Sequence, residues 1–153
     1  MGFFDKIKAA ANAVTGGAAK VTVSTNGTPT RGETLWVTVE AQAEADCKVD
    51  KVYLNIRCRE EADVIDRDTE ADGTTSKETI RARKTVYEST HEIEGACEIA
   101  AGSGMAWQRG ITLPDDALPS VHGKMVRVVW EMEAGLDMFG NDPDSGWVKF
   151  DLH

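Results

Sequence analysis

The residues of this chain best suited to chemistry are its acids. Between Glu60 and Asp72 stand seven acids and one base, a local net charge of −6. Asp68, Glu70, Asp72 and Gly73 reproduce the opening of a calcium loop, where alternating oxygens ring the ion and a glycine makes the sharp turn. Position twelve of that loop is Thr79, where a bidentate Glu is required, and strand-type patterning flanks it. A solvated polar loop over 60–77 is therefore expected, and no metal. Asn141, Asp142 and Asp144, ahead of Gly146, read as side chains that cap a turn.

A nucleophilic site is no better supported. His91, His122 and His153 are the only histidines, and no GxSxG-type turn accompanies any of them. His122 follows Ser120 by two residues in a proline-rich segment with no signature of an oxyanion hole. Gly16-Gly17 and Gly102-Ser103-Gly104 lack the Lys-Ser/Thr ending of a phosphate-binding loop and precede strands. Cys47, Cys58 and Cys97 are odd in number and spaced by 11 and 39 positions, which fits neither a disulfide framework nor a CxxC metal site. Reduced thiols in a cytoplasm are expected. The reading is of a protein that is not an enzyme, with no catalytic residue and no cofactor.

Arginines point instead to recognition. Arg57 and Arg59 share one strand face, and Arg81 and Arg83 share a face of the strand across the acidic stretch. If the two strands pair as a hairpin, four guanidiniums form one outward patch. Either Glu60, Glu61 and Glu88 neutralise it as a solvated face, or its forks read carboxylates or phosphates on a partner.

These side chains need elements to carry them, and the hydrophobic pattern supplies two kinds. Residues 2–15 place Phe3, Phe4, Ile7, Ala11 and Val14 at three- and four-residue spacings, which predicts an amphipathic helix stopped at Gly16-Gly17. Its stripe covers the domain, docks on a partner, or lies in a membrane interface. From Lys20 the period becomes two. Val21 and Val23, then Leu35, Val37 and Val39, then Val52, Leu54, Ile56 and Cys58 form apolar faces. Further strands are expected over Thr79–Glu94, around Trp107, over Met125–Ala134 with Val126, Val128, Trp130 and Met132 inward, and over Trp147–Leu152. Trp36, opposite Leu35 and Val37, is placed on an outer face or under the helix. The segment 114–123, with Pro114 and Pro119, is expected to be ordered. Seven or eight strands without intervening helices cannot make a parallel sheet, so an antiparallel β-sandwich is predicted. The domain plan is an N-terminal helix at 1–17 and one sandwich at 18–153.

The chain has 153 residues, 41% hydrophobic and 28% charged, within the range of one globular domain. Its formal net charge of −9 repels phosphate backbones, so no nucleic-acid partner is expected. No apolar run approaches the ~20 residues that span a bilayer, and no secretory signal is visible. A cytoplasmic location is expected, peripheral to the inner face of the membrane if the helix lies there.

The sequence resembles the arrestin-like superfamily, in particular its bacterial sporulation-control members. The opening GFFDKI, the segment TRGETLWVTVEA, the strand VDKVYLNIRCREEA and above all LPDDALPSVHGKMVRVVWEMEAGLD followed by WVKFDL carry the resemblance. Leu118, Cys58 and Trp130 depart from the family pattern, where proline, glycine and tyrosine are usual. The resemblance implies an immunoglobulin-like, arrestin-like sandwich in which the segment 114–123 crosses between sheets, and adaptor or scaffold work, in sporulation or cell-envelope development, without cofactor or metal. Arrestins pair two sandwiches, so the cradle between two domains is not expected in this chain. The expected function is a protein-interaction module, with Phe3, Phe4, Ile7, Val14, Arg57, Arg59, Arg81 and Arg83 as candidate partner-binding residues. The alternative is a self-assembling structural subunit that uses exposed sheet edges or the helix, and a homodimer is expected on the same grounds.

Overall fold

The computed structural model describes residues 17–140 and 142–153. The predicted N-terminal helix, with Phe3, Phe4, Ile7 and Val14, lies outside the described residues. Nine strands follow in order: β1 (Ala19–Thr25), β2 (Thr34–Ala43), β3 (Cys47–Thr69), β4 (Thr75–Glu94), β5 (Cys97–Ile99), β6 (Gly104–Thr112), β7 (Val121–His122), β8 (Val126–Met138) and β9 (Val148–Phe150). All ladders are antiparallel. One sheet runs β1-β2-β6. The other runs β4-β3-β8-β7, with β5 on β3 and β9 on β8.

Period-two alternation explains the sandwich. Val21 and Val23, Val37 and Val39, Leu54 and Ile56, and Trp130 and Met132 all point inward from the two sheets into one contiguous core. Trp130 sits at its centre, 1% exposed, with Tyr87 and Phe150 tilted against its ring. Its indole N–H donates to the Leu118 carbonyl at 2.7 Å. Trp36 stands on the outer face, 52% exposed.

The proline-rich segment crosses between the sheets as predicted. It leaves β6 through buried Leu113 and Ala117 and joins the second sheet at β7. The Ser120 N–H donates to the Leu152 carbonyl, and the Leu152 N–H donates to Ser120 Oγ, at 2.8 and 2.9 Å.

Four expectations need correction. The polar loop over 60–77 is a β-ribbon: β3 continues to Thr69, β4 begins at Thr75, and only the turn between them is irregular. Backbone pairing across the ribbon, with Glu60 opposite Lys84, Glu61 opposite Arg83 and Asp63 opposite Arg81, overrides the solvated-loop preference of so many acids. Met125–Ala134 extends to Met138, because β3 offers partners as far as Val49. Val126, expected inward, is 55% exposed because its partner Ala62 already lies where the sandwich ends. The described residues hold nine strands rather than seven or eight, since β5 and β7, of 3 and 2 residues, are too short to show a period.

Candidate functional site: a charged sheet face and a projecting arm

The outer face of the β3–β8 pair is built from the odd-numbered residues of both strands. In register, Lys51 faces Asp137, Asn55 faces Glu133, Arg57 faces Glu131 and Glu61 faces Arg127. Each pair is complementary. Arg57 Nε donates to Glu131 Oε2 at 2.8 Å, and Arg59 Nη2 donates to Glu131 Oε1 at 3.0 Å. Glu131 is 4% exposed, so its carboxylate is held almost wholly by those two guanidiniums. Arg57 also lies over the Trp147 ring, 3.7 Å from its centroid, a cation–π contact.

A second acid continues the network. Buried Glu61 takes Arg59 at 3.4 Å, Arg127 at 3.3 Å and Arg83 at 3.9 Å, and Arg127 reaches on to Asp63 at 2.8 Å. The Arg127 hydrogen bond, helped by the Arg127, Arg81 and Arg83 charges, holds the Asp63 carboxyl below its ordinary value. Burial pushes Glu133 up, and the neighbouring Asp144 adds to it against the pull of the Asn55 hydrogen bond and the Arg57 charge. Tyr53, on the same face, is raised to about 12 by burial and by Glu133 and its neighbouring acids.

The hairpin on which the four-arginine patch depended does form. It brings Arg57, Arg59 and Arg83 into one network, with Arg81 opposite Asp63. Glu131 and Arg127, the acid at its centre and the base at its end, were not singled out from the sequence. No sequence signal marks them, because β8 meets β3 more than 60 residues away in the chain.

Beyond Asp63 and Met125 the β3–β4 ribbon leaves the sandwich as an arm of two strands. Seven residues, Asp63 to Thr69, carry it roughly 20 Å outward at the usual strand rise. One face of its root presents Ala62, Val64, Ile80, Ala82 and Val126; Val64, Ile65 and Ile80 are 46%, 56% and 51% exposed. At the tip, the acids that resembled a calcium loop make the turn instead. Asp72 Oδ1 accepts the Thr74 N–H and hydroxyl, Glu70 pairs with Thr74 and Gly73, and Gly73 takes φ +86°. The other acidic cluster behaves likewise: Asp144 Oδ1 accepts the Gly146 N–H and Asp142 Oδ1 the Met138 N–H.

The histidines and cysteines are dispersed. His91 shares a hydrogen bond with Ser89 Oγ at 2.9 Å, and burial, with the Arg109 charge, lowers its imidazole below the ordinary value. His122 Nε2 lies 2.8 Å from Asp151 on an exposed surface. All three thiols are free; burial raises each, Cys58 to about 11. No group of three or more metal-ligating side chains converges among the described residues. No helix among them is long and apolar enough to cross a membrane.

No family model matches the chain, and no curated protein matches it in sequence. In fold it is similar to the sporulation control protein Spo0M from Bacillus subtilis, at 20% identity with a TM-score of 0.60, over 90% of this chain and 50% of that one. The chain thus spans about half the length of that protein. The sandwich has the arrestin-like fold that the resemblance implied.

Proposed function

We propose that this chain is a non-catalytic interaction module, an adaptor or scaffold that holds a protein partner, in the regulation of sporulation or cell-envelope development. The arm is the observation that carries this reading. A two-stranded ribbon outside any sandwich has no core to bury its side chains, yet Val64, Ile65 and Ile80 stand exposed on it. Near the tip Asp66 faces Glu78 and Arg67 faces Lys77, like charges that weaken a free ribbon and that a partner of mixed charge would satisfy. The likeness to a protein named for sporulation control supports the choice of process.

Site-specific photocrosslinking tests the reading. A crosslinker at Val64 or Ile65, on the β3 strand of the arm, should capture a foreign protein in the native host, whereas one at Trp36, exposed on the opposite sheet, should not. Equal capture at all three positions, or none at the arm, would refute the arm as the docking element.

A further inference from the structure

The second sheet ends at β4, whose outer backbone edge pairs with no strand among the described residues. It has 20 residues, against 7 and 9 for β1 and β6 at the ends of the other sheet. An open edge of that length is a template for another strand, and proteins blunt such edges with charge and with bulges. β4 has both, but its charges are sorted by sign. Residues 75–85 carry Lys77, Glu78, Arg81, Arg83 and Lys84, net +3; residues 86–94 carry Glu88, Glu92 and Glu94, net −3 with His91 neutral.

The dividing point is a bulge. Cys58 pairs with Tyr87 and Arg59 with Thr85, so Val86 is extra and the side-chain parity of β4 reverses there. Arg81, Arg83 and Thr85 lie on the outer face before it, and Glu88, Thr90 and Glu92 lie on that face after it. A two-fold axis normal to a sheet keeps each face on its own side. Residues paired across it must therefore share a face. Without the bulge, pairing an odd-numbered residue with an even-numbered one would be forbidden. With it, Arg83 and Glu88 become admissible partners.

We propose that two copies of this chain associate through β4, antiparallel about a two-fold axis at Thr85–Val86, so that Arg83 of each copy faces Glu88 of the other in one continuous sheet. The basic half of each edge then lies along the acidic half of its mate. Parallel pairing, or antiparallel pairing centred on either half, brings like charges together, so the pattern selects one arrangement. Val86 and Ile80, 39% and 51% exposed, lie at and beside the seam and gain a neighbour there. The net charge of −9 on each chain opposes any dimer, but screening over ~8 Å at physiological salt leaves the adjacent pairs in control.

Sedimentation equilibrium on the full chain at physiological salt provides the test, with two charge variants. Arg81→Glu/Arg83→Glu makes both halves of β4 acidic, and Glu88→Lys/Glu92→Lys makes both basic. The wild type should sediment at twice 16.6 kDa. Each variant alone should dissociate at least ~10-fold more readily, and an equimolar mixture should restore a heterodimer. That rescue cannot arise from misfolding, and circular dichroism of each variant checks the fold independently. A wild type that stays monomeric at micromolar protein overturns the proposal; so do variants that each dimerise like wild type, or a folded pair that does not rescue. The proposal does not rest on the adaptor reading: monomeric protein with arm crosslinks intact removes the dimer alone, and dimer without arm crosslinks removes the adaptor alone.

Discussion

Glu131→Gln tests the central claim about the charged face, that its arginines are held inside the chain. The substitution keeps shape and removes charge. Two guanidiniums, 26% and 21% exposed on the side chain, lose their shared carboxylate, and the new amide presents a donor to one of them. Hydrogen bonds to charged groups contribute roughly 1.5–3 kcal/mol each, and breaking a buried pair from one side costs ~3–5 kcal/mol. The loss here should fall at or below the lower end of that range. Arg59 keeps Glu61 at 3.4 Å, and Arg57 keeps the Trp147 ring at 3.7 Å. We expect ~2–3 kcal/mol, which for a chain of this length lowers Tm by roughly 4–12 °C. Urea unfolding followed by tryptophan fluorescence measures it, with the m-value unchanged if only stability moves. A double-mutant cycle with Arg57→Ala isolates the pair and should give a coupling above ~1 kcal/mol. A loss below ~1 kcal/mol, or one that vanishes at ~0.5 M salt, would mean an ordinary solvated ion pair and would refute the reasoning.

Trp130→Ala should cost ~3–5 kcal/mol through lost burial and a cavity, whereas Trp36→Ala, on the outer face, should stay within ~0.5 kcal/mol; reversed values in thermal melts would invert the face assignment. Glu133→Gln should stabilise the protein at neutral pH. Its folded carboxyl lies above the ordinary value through burial and Asp144, so its contribution favours folding only below the unfolded value of ~4.3 and is lost as pH rises through the folded one; melts should converge toward acid pH. Cys97, half-buried, should react with a thiol reagent before buried Cys47 and Cys58, and simultaneous reaction of all three in native protein would contradict the core assignment. Calcium at sub-millimolar concentration should leave Tm unchanged, since Asp72 is already engaged with Thr74; a rise would reveal a folded-state site.

Where a strand lies between core and solvent, its sequence reports its face. Leu35, Val37 and Val39, or Val52 to Cys58, alternate because one side of each strand is buried, and that constraint makes the sandwich readable. The arm has no buried side, so alternation fades beyond Val64 and Ile80, and the acids of β3 there read as a loop although they belong to a strand. The candidate arginines were legible as a shared face; their partners were not. Glu131 sits among Trp130 and Met132 in a strand whose inward face dominates its pattern, and only the register against β3 brings it to Arg57. Val126 was misread for the converse reason. Its spacing continues the inward face of β8, but the opposing sheet has already ended.

The network and the arm belong to one mechanical arrangement. β8 stops at Val126, so past Ala62 the strand β3 keeps only β4 as a neighbour, and a lone two-stranded ribbon is marginally stable in water. Its root is therefore the point at which its direction must be set, and several bonds converge there. The Asp63 N–H donates to the Met125 carbonyl at 2.7 Å, Arg127 Nη1 donates to the Lys124 carbonyl at 3.2 Å, and the same guanidinium holds both Glu61 and Asp63. Glu61 in turn draws Arg83 from the far strand, so both strands of the arm are tied to the end of β8 through one buried carboxylate. The Arg127 hydrogen bond and the surrounding guanidiniums lower the Asp63 carboxyl below its ordinary value, which favours its charged form beside Arg127. On the adaptor reading proposed above, apolar side chains presented on a thin ribbon need a fixed presentation angle, because orientation lost in the free state must be regained on binding. The buried charges on the outer sheet face supply that fixed angle at the one place where the sandwich core cannot reach.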